Sequence, residues 1–310
     1  MGIFDRFYYG KAGKRDYTES DMPKNRVSLF FLVLKDHLFD LIKVNLLQVV
    51  FWIPLFLWTF ISVLAMQEIV IDPETQSTAQ SWMSQLSSHL LIWLIGVIPC
   101  IAITGPSTAG AAYILRNWSK DQHAFLWSDY KDALKNNWKQ ALGLSTITGI
   151  IPAVLFAAIL FYGRIARENV LFYIPLVLTL TAGLVFCLML VVLYPMMVGY
   201  ELKFKDLLKN AFLMALAQLP RMLLARILTL IPIVVLLFGV YINGIVTFVI
   251  CVYYFVFGLA FTRLVYASFS NAVFDIYLNP HIEGAVVGAG LRPEKFDDFE
   301  EDEEDEEEDE

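Results

Sequence analysis

The chain has 310 residues, of which 57% are hydrophobic and 17% charged, with a mean hydropathy of +0.59. Polar residues gather in a few segments while long stretches carry no charge, so the chain reads as an all-α integral membrane protein. The two soluble domains that this length would otherwise permit are excluded. The net charge of −8 is local: residues 297–310 hold 13 acidic side chains interrupted only by Phe299, and without them 18 acidic residues face 23 basic ones, a body of +5.

The N-terminal MGIFDRFYYGKAGKR has basic residues but no apolar core, so it is not expected to be a cleavable signal peptide. Arg6 stands where a myristoylation signal needs Ser or Thr. An amphipathic stretch, FFLVLKDHLFDLIKVN, follows, with Phe31, Leu34, Leu38 and Leu41 at helical spacing. Six apolar runs of membrane-spanning length come next: Val44–Met66, His89–Leu115, Lys139–Tyr162, Leu171–Val198, Met222–Ile242 and Gly244–Ser268. The last two are expected to form a hairpin at Asn243-Gly244, since one continuous helix would be too long for a single span.

Lys and Arg set the orientation. Residues 1–43 hold eight of them, 115–139 five and 199–226 five, whereas the connection 66–88 has none, which places both termini in the cytoplasm. Arg226 and Arg263 fall near span ends on these boundaries and read as interfacial anchors. The expected organisation is a cytoplasmic N-terminal segment (1–43), a polytopic membrane domain (44–270), a cytoplasmic linker (271–296) and a disordered acidic tail (297–310).

An internal repeat underlies the spans. Tyr130-Lys131-Asp132-Ala133-Leu134-Lys135-Asn136-Asn137-Trp138 aligns with Phe204-Lys205-Asp206-Leu207-Leu208-Lys209-Asn210-Ala211-Phe212, and each odd-numbered span carries Ile-Pro, at Ile53-Pro54, Ile151-Pro152 and Ile231-Pro232. The chain therefore reads as three units, each a cytoplasmic amphipathic helix followed by a two-span hairpin. The second and third amphipathic faces, Trp127, Tyr130, Leu134 and Trp138, and Phe204, Leu208, Ala211 and Ala215, have lysines opposite. Packing against anionic headgroups is the expected role, and a basic, aromatic platform for a partner is the sharper alternative, carried by Trp127, Tyr130, Lys131, Lys135, Trp138, Phe204, Lys205 and Lys209.

One span is interrupted by TGPSTAGAAYILRN (104–117), where Pro106-x-x-x-Gly110 matches Pro195-x-x-x-Gly199 near the end of the fourth span. Gly105, Pro106, Ser107, Ala109 and Gly110, with Pro195 and Gly199, are expected to form a structural hinge and close-packing point at the inner membrane edge. Chemistry is harder to find. His37, His89, His123 and His281 are scattered, and Cys100, Cys187 and Cys251 are isolated. The chain contains no phosphate loop, HExxH or Gly-x-Ser-x-Gly, so no catalytic residue, cofactor, metal or nucleic-acid partner is expected. No Asp or Glu lies at the centre of a span, which weakens a proton-driven mechanism. Asn45, Gln48, Thr146, Thr148, Thr179, Thr181, Thr229 and Asn243 remain as polar groups, each readable as an interhelical hydrogen bond.

The start MGIFDRF, Pro23-Lys24, Asn45-Leu46-Leu47 and above all GPSTAGAAYILRNWSKDQHAFLWSDYKDALKNNWKQ (105–140) resemble the YesL family of bacterial membrane proteins, most strongly over residues 1–140. The longer polar outer loop, 67–88, and the acidic tail depart from that family's usual form. The resemblance implies no established activity; it implies an accessory role in sugar utilisation, with membrane lipids and a sugar transporter or membrane sensor complex as partners. A non-enzymatic accessory or scaffold component is the expected function. A channel or transporter component for a small neutral solute is the alternative.

Overall fold

The computed structural model describes residues 22–71 and 79–293, which form ten α-helices with no strand among the described residues. In chain order these are α1 (Arg26–Asp36), α2 (Leu38–Ile71), α3 (Ala79–Ala102), α4 (Thr104–Trp118), α5 (Leu126–Ile165), α6 (Tyr173–Gly199), α7 (Phe204–Ala217), α8 (Leu219–Ile242), α9 (Gly244–Tyr253) and α10 (Leu259–Tyr277). A π turn, Tyr254–Gly258, joins the last two into one long rod. Among the described residues six stretches are long and apolar enough to cross a membrane: Leu38–Gln67, Trp82–Ala102, Leu126–Ile165, Val170–Gly199, Leu219–Leu236 and Gly244–Tyr277. They pack as three hairpins, α2 on α3, α5 on α6 and α8 on α9. The turn at Asn243 is as tight as the sequence suggests, with its side chain accepting the Ile245 N–H at 2.8 Å.

Hydropathy alone misplaces the second span. It runs from Trp82 to Ala102, and the stretch Thr104–Asn117 belongs to the separate helix α4 rather than to the last turns of a span. Twelve of the fifteen residues in α4 are buried, so it is a core element and does not lie on a membrane surface. Small residues make this position available. A side chain at Gly105 would overlap the Ala141 carbonyl on α5, and one at Gly110 would come within 2.8 Å of the Tyr130 carbonyl.

The amphipathic segment before the third span is continuous with it. At 40 residues, α5 is about 60 Å long, twice the hydrocarbon core of roughly 30 Å, so its first half extends beyond the apolar layer and packs on α4. The third amphipathic segment is a distinct helix, α7, which buries Leu207, Ala211, Met214 and Ala215. In α1 the buried residues are Leu29 and Val33, while Phe31 is exposed. The chain from 271 continues helical to Tyr277, buries Val273 and Phe274, and then returns to the N-terminal side, where the Arg292 N–H donates to the Pro23 carbonyl at 3.1 Å. The acidic tail lies outside the described residues.

These helices enclose a protein core at one end of the bundle, built from α1, the start of α2, α4, the first half of α5, the C-terminal half of α6, α7, the start of α8 and α10. Toward the other end the spans turn Phe60, Phe161, Ile174 and Phe248 outward, as helices solvated by lipid do.

Serine hydroxyls compensate for two prolines. Pro106 has no N–H for the Ala102 carbonyl, and Ser145 Oγ of α5 lies 2.7 Å from that oxygen. Pro195 likewise cannot serve the Val191 carbonyl, which Ser270 Oγ of α10 approaches to 3.0 Å. Despite this parallel the two motifs differ in outcome: the helix breaks before Pro106, whereas α6 continues through Pro195 without interruption to Gly199. Asn45 supports the π turn in the same way. Its Nδ2 donates to the carbonyls of Tyr254 (3.1 Å) and Phe255 (2.7 Å), and its Oδ1 accepts the Ala260 N–H at 3.0 Å, which pairs backbone groups that the wider turn leaves open.

Candidate functional site

Between the spans lies a cavity of about 470 Å³, within the range of roughly 300–1,000 Å³ typical of ligand pockets. All six spans contribute: Trp52 and Phe56 from α2, Trp93 from α3, Ser145 and Thr148 from α5, Tyr194 from α6, Arg226 and Thr229 from α8, and Arg263 and Tyr266 from α10. Thr104, at the start of α4, and Tyr254, in the π turn, also face it. The breaks in regular helix geometry thus occur at the wall of the cavity, where irregular backbone can be accommodated.

Arg226 and Arg263 both face this space, which corrects their reading as interfacial anchors. α8 begins at Leu219, about two turns before Arg226, and α10 continues well past Arg263 to Tyr277, so both residues are farther from helix ends than the apolar runs suggest. Arg226 donates through Nε to Cys187 Sγ at 2.9 Å and through Nη1 to the Tyr266 hydroxyl, which also lies 2.9 Å from Thr229 Oγ1. Arg263 rests over the ring of Tyr194 at 5.2 Å, and each guanidinium carbon lies 5.9 Å from the Tyr266 ring centre. Trp52 Nε1 and the Tyr254 hydroxyl are buried polar atoms without a hydrogen-bond partner among the described residues. No acidic side chain lines the cavity among the described residues.

The residues singled out from sequence fall into three groups. Gly105, Ser107, Ala109 and Gly110 are buried on α4 and Pro106 beside them is partly buried; Tyr130, expected on the outer platform, turns inward so that its hydroxyl meets Ser107 Oγ at 2.8 Å. Pro195 is buried in α6, and Gly199 lies under the guanidinium of Arg116, where any side chain would overlap it. Trp127, Lys131, Lys135, Trp138, Lys205 and Lys209 are exposed at the α4 end of the bundle, and Phe204 is partly buried against the core. Of the candidate polar groups, Thr148 and Thr229 reach the cavity, while Asn45 and Gln48 are buried on α2.

A second polar cluster closes the α4 end. Arg116 stacks over Tyr200 at 5.0 Å, Tyr200 donates to Asn279 Oδ1 at 2.7 Å, Asn279 donates to Asp275 at 2.7 Å, and Asp275 pairs with Arg26. Lys120, in the connection after α4, is pushed down to about 8 by burial and by Arg116, with Asp275 opposing and Arg26 adding to the shift. The cluster ties the chain's two described ends to α4.

The architecture and the site define a class: a multi-pass α-helical membrane protein with an arginine-bearing chamber inside its bundle. Residues 86–159 match the family described as "Protein of unknown function, DUF624". That stretch holds most of α3, all of α4 and the first 34 of the 40 residues of α5, and so includes Trp93, Thr104, Ser145 and Thr148 of the chamber wall. No curated protein and no solved structure matches the chain.

Proposed function

We propose that this protein is a non-enzymatic accessory component of a transport or sensing system in the bacterial cytoplasmic membrane, with both termini in the cytoplasm. Carbohydrate uptake is the setting suggested by the resemblance to the YesL family. The observation that carries the reading is the chamber itself: side chains from all six spans converge on a space of about 470 Å³, and their indole, hydroxyl and guanidinium groups can hold and orient a ligand. Exposed Trp127 and Trp138, with Lys131, Lys135, Lys205 and Lys209, offer a surface through which a partner could sense that occupancy. Crosslinking in cells, followed by purification of the tagged full chain in a mild detergent, should recover a transporter or sensor subunit, and Trp127→Ala with Trp138→Ala should deplete it. Recovery of only the proteins that also bind an untagged control would sink the proposal.

The second reading is a channel or transporter component for a small neutral solute, favoured by the uncharged hydroxyls of Ser145, Thr148, Thr229 and Thr262 in the same wall. Proteoliposomes that fail to move candidate sugars faster than empty ones would remove it. The packing of α4 across one end of the bundle makes this the weaker of the two, because a through-route would need that buried helix to move.

A further inference from the structure

We infer that the chamber binds an anionic single-chain amphiphile drawn from the membrane, with its head at Arg226 and Arg263 and its apolar body along Trp52, Phe56 and Trp93. This rests on the chamber being a ligand site and specifies the ligand's chemistry. Two guanidiniums face one cavity whose wall contains no carboxylate among the described residues. Held among apolar spans, two like charges are costly, and an anion between them relieves both the repulsion and the lost hydration. The two arginines are unequally satisfied. Arg226 has Cys187 and Tyr266 as acceptors, whereas Arg263 makes no hydrogen bond or ion pair among the described residues and has only the ring faces of Tyr194 and Tyr266. A guanidinium has five donors in a planar fork suited to a carboxylate or phosphate, so Arg263 is the group with the most unused capacity. The unpaired Trp52 Nε1 offers a further donor, and the Tyr254 hydroxyl another.

The remainder of the wall is apolar, including Leu55, Leu190, Leu230, Ile233 and Leu236. A small inorganic anion would leave that surface without a partner, and a neutral hydrocarbon would leave the guanidiniums without one. The lipid is also the nearer source. The α2–α3 hairpin and α8 make no extended contact with each other, and Phe56 and Ile233, which line the chamber from these two sides, are 46% and 40% exposed. An amphiphile can therefore enter laterally, head first, without crossing the α4 core. The volume suits one alkyl chain, at the lower end of the range for ligand pockets.

The test uses the full chain in phosphatidylcholine nanodiscs and a diazirine-bearing dodecyl phosphate, with labelled peptides mapped by mass spectrometry. Saturable labelling is expected on α2, α3 and α8 around Trp52, Phe56, Trp93 and Ile233. Dodecyl phosphate should displace it at least tenfold more effectively than dodecanol or dodecylammonium. Arg263→Gln and Arg226→Gln should each weaken labelling at least tenfold, Arg263→Lys should retain part of it, and Arg167→Gln, at an exposed position outside the chamber and the platform, should match the unmodified protein. The competition series needs no variant, so it decides the question even if the glutamine variants fail to fold. Equal displacement by dodecanol would overturn the anionic head group while leaving the chamber as a ligand site. Displacement by inorganic phosphate alone would assign the ligand to water and overturn the amphiphile. Labelling spread evenly over the lipid-facing helices, with none in the chamber, would overturn both this inference and the ligand-site reading beneath it.

Discussion

Single glycines and one lysine show how closely the α4 end is fitted. Gly105 faces the Ala141 backbone, which cannot move aside as a flexible side chain could, so Gly105→Ala should destabilise the protein by about 1–3 kcal/mol in thermal or denaturant unfolding. Gly163→Ala, where an added methyl meets nothing within 4 Å, should show no such loss and serves as the control. Lys120 gives a pH-dependent effect. Its folded-state value of about 8 lies below the ordinary 10.5, so below about pH 8 the charged lysine penalises the folded state. Between about pH 8 and 10.5 the folded state has released a proton that the unfolded state retains, and stability rises with pH. Lys120→Met should be more stable than the unmodified protein below pH 8, with the difference shrinking across that window in melting curves taken at each pH.

At the scale of elements, prolines and serines act as pairs across helices. Ser270 Oγ lies 3.0 Å from a carbonyl left open because Pro195 lacks an N–H and 2.6 Å from the Tyr266 carbonyl of its own helix, so its one proton is shared between the two acceptors. Ser270→Ala alone should therefore cost about 1–3 kcal/mol by leaving a buried carbonyl unpaired, while in a Pro195→Ala background, where the helix can close its own bond, the cost should fall. A double-mutant cycle measures the coupling, and strictly additive effects would count against the pairing. The repeated Pro-x-x-x-Gly pattern is visible in the sequence, but the two copies behave differently. α4 separates from α3 because its small residues can be swallowed by the core, whereas the residues preceding Pro195 are large, apolar and buried throughout, so α6 stays whole. Tyr130 is a similar case. Helical periodicity places it on an apolar face, and only the arrival of Ser107 on α4 decides that this face is covered by protein rather than lipid.

The whole molecule combines a protein-packed end with a lipid-solvated bundle, and the chamber lies where the two meet. The distribution of Lys and Arg predicts an orientation that fusions can check: a reporter fused after Ser77 should score outside and one at the C-terminus inside. The opposite result would reverse the assignment of the platform and of the acidic tail. The six spans, their hairpin pairing and the turn at Asn243-Gly244 were legible in the sequence, because runs of about 20 apolar residues and a tight polar turn are local signals. The candidate site was legible only in part. Thr148 and Thr229 stood out as polar groups in apolar surroundings, but nothing local shows that they face the same space as two tryptophans and two arginines from other spans.

Composition and periodicity by themselves determined that this chain is a helical membrane protein of six spans, because lipid requires every span to satisfy its own backbone and to present apolar side chains. The tertiary structure decided which of those side chains face protein. It drew α4 out of the second span and into the core, and turned Tyr130 inward. It also brought Arg226 and Arg263, distant in the chain and close to apparent span ends, to one cavity. The physical reason is that hydrophobic periodicity reports only that a face avoids water, while helix packing selects whether lipid, a neighbouring helix or a ligand covers it.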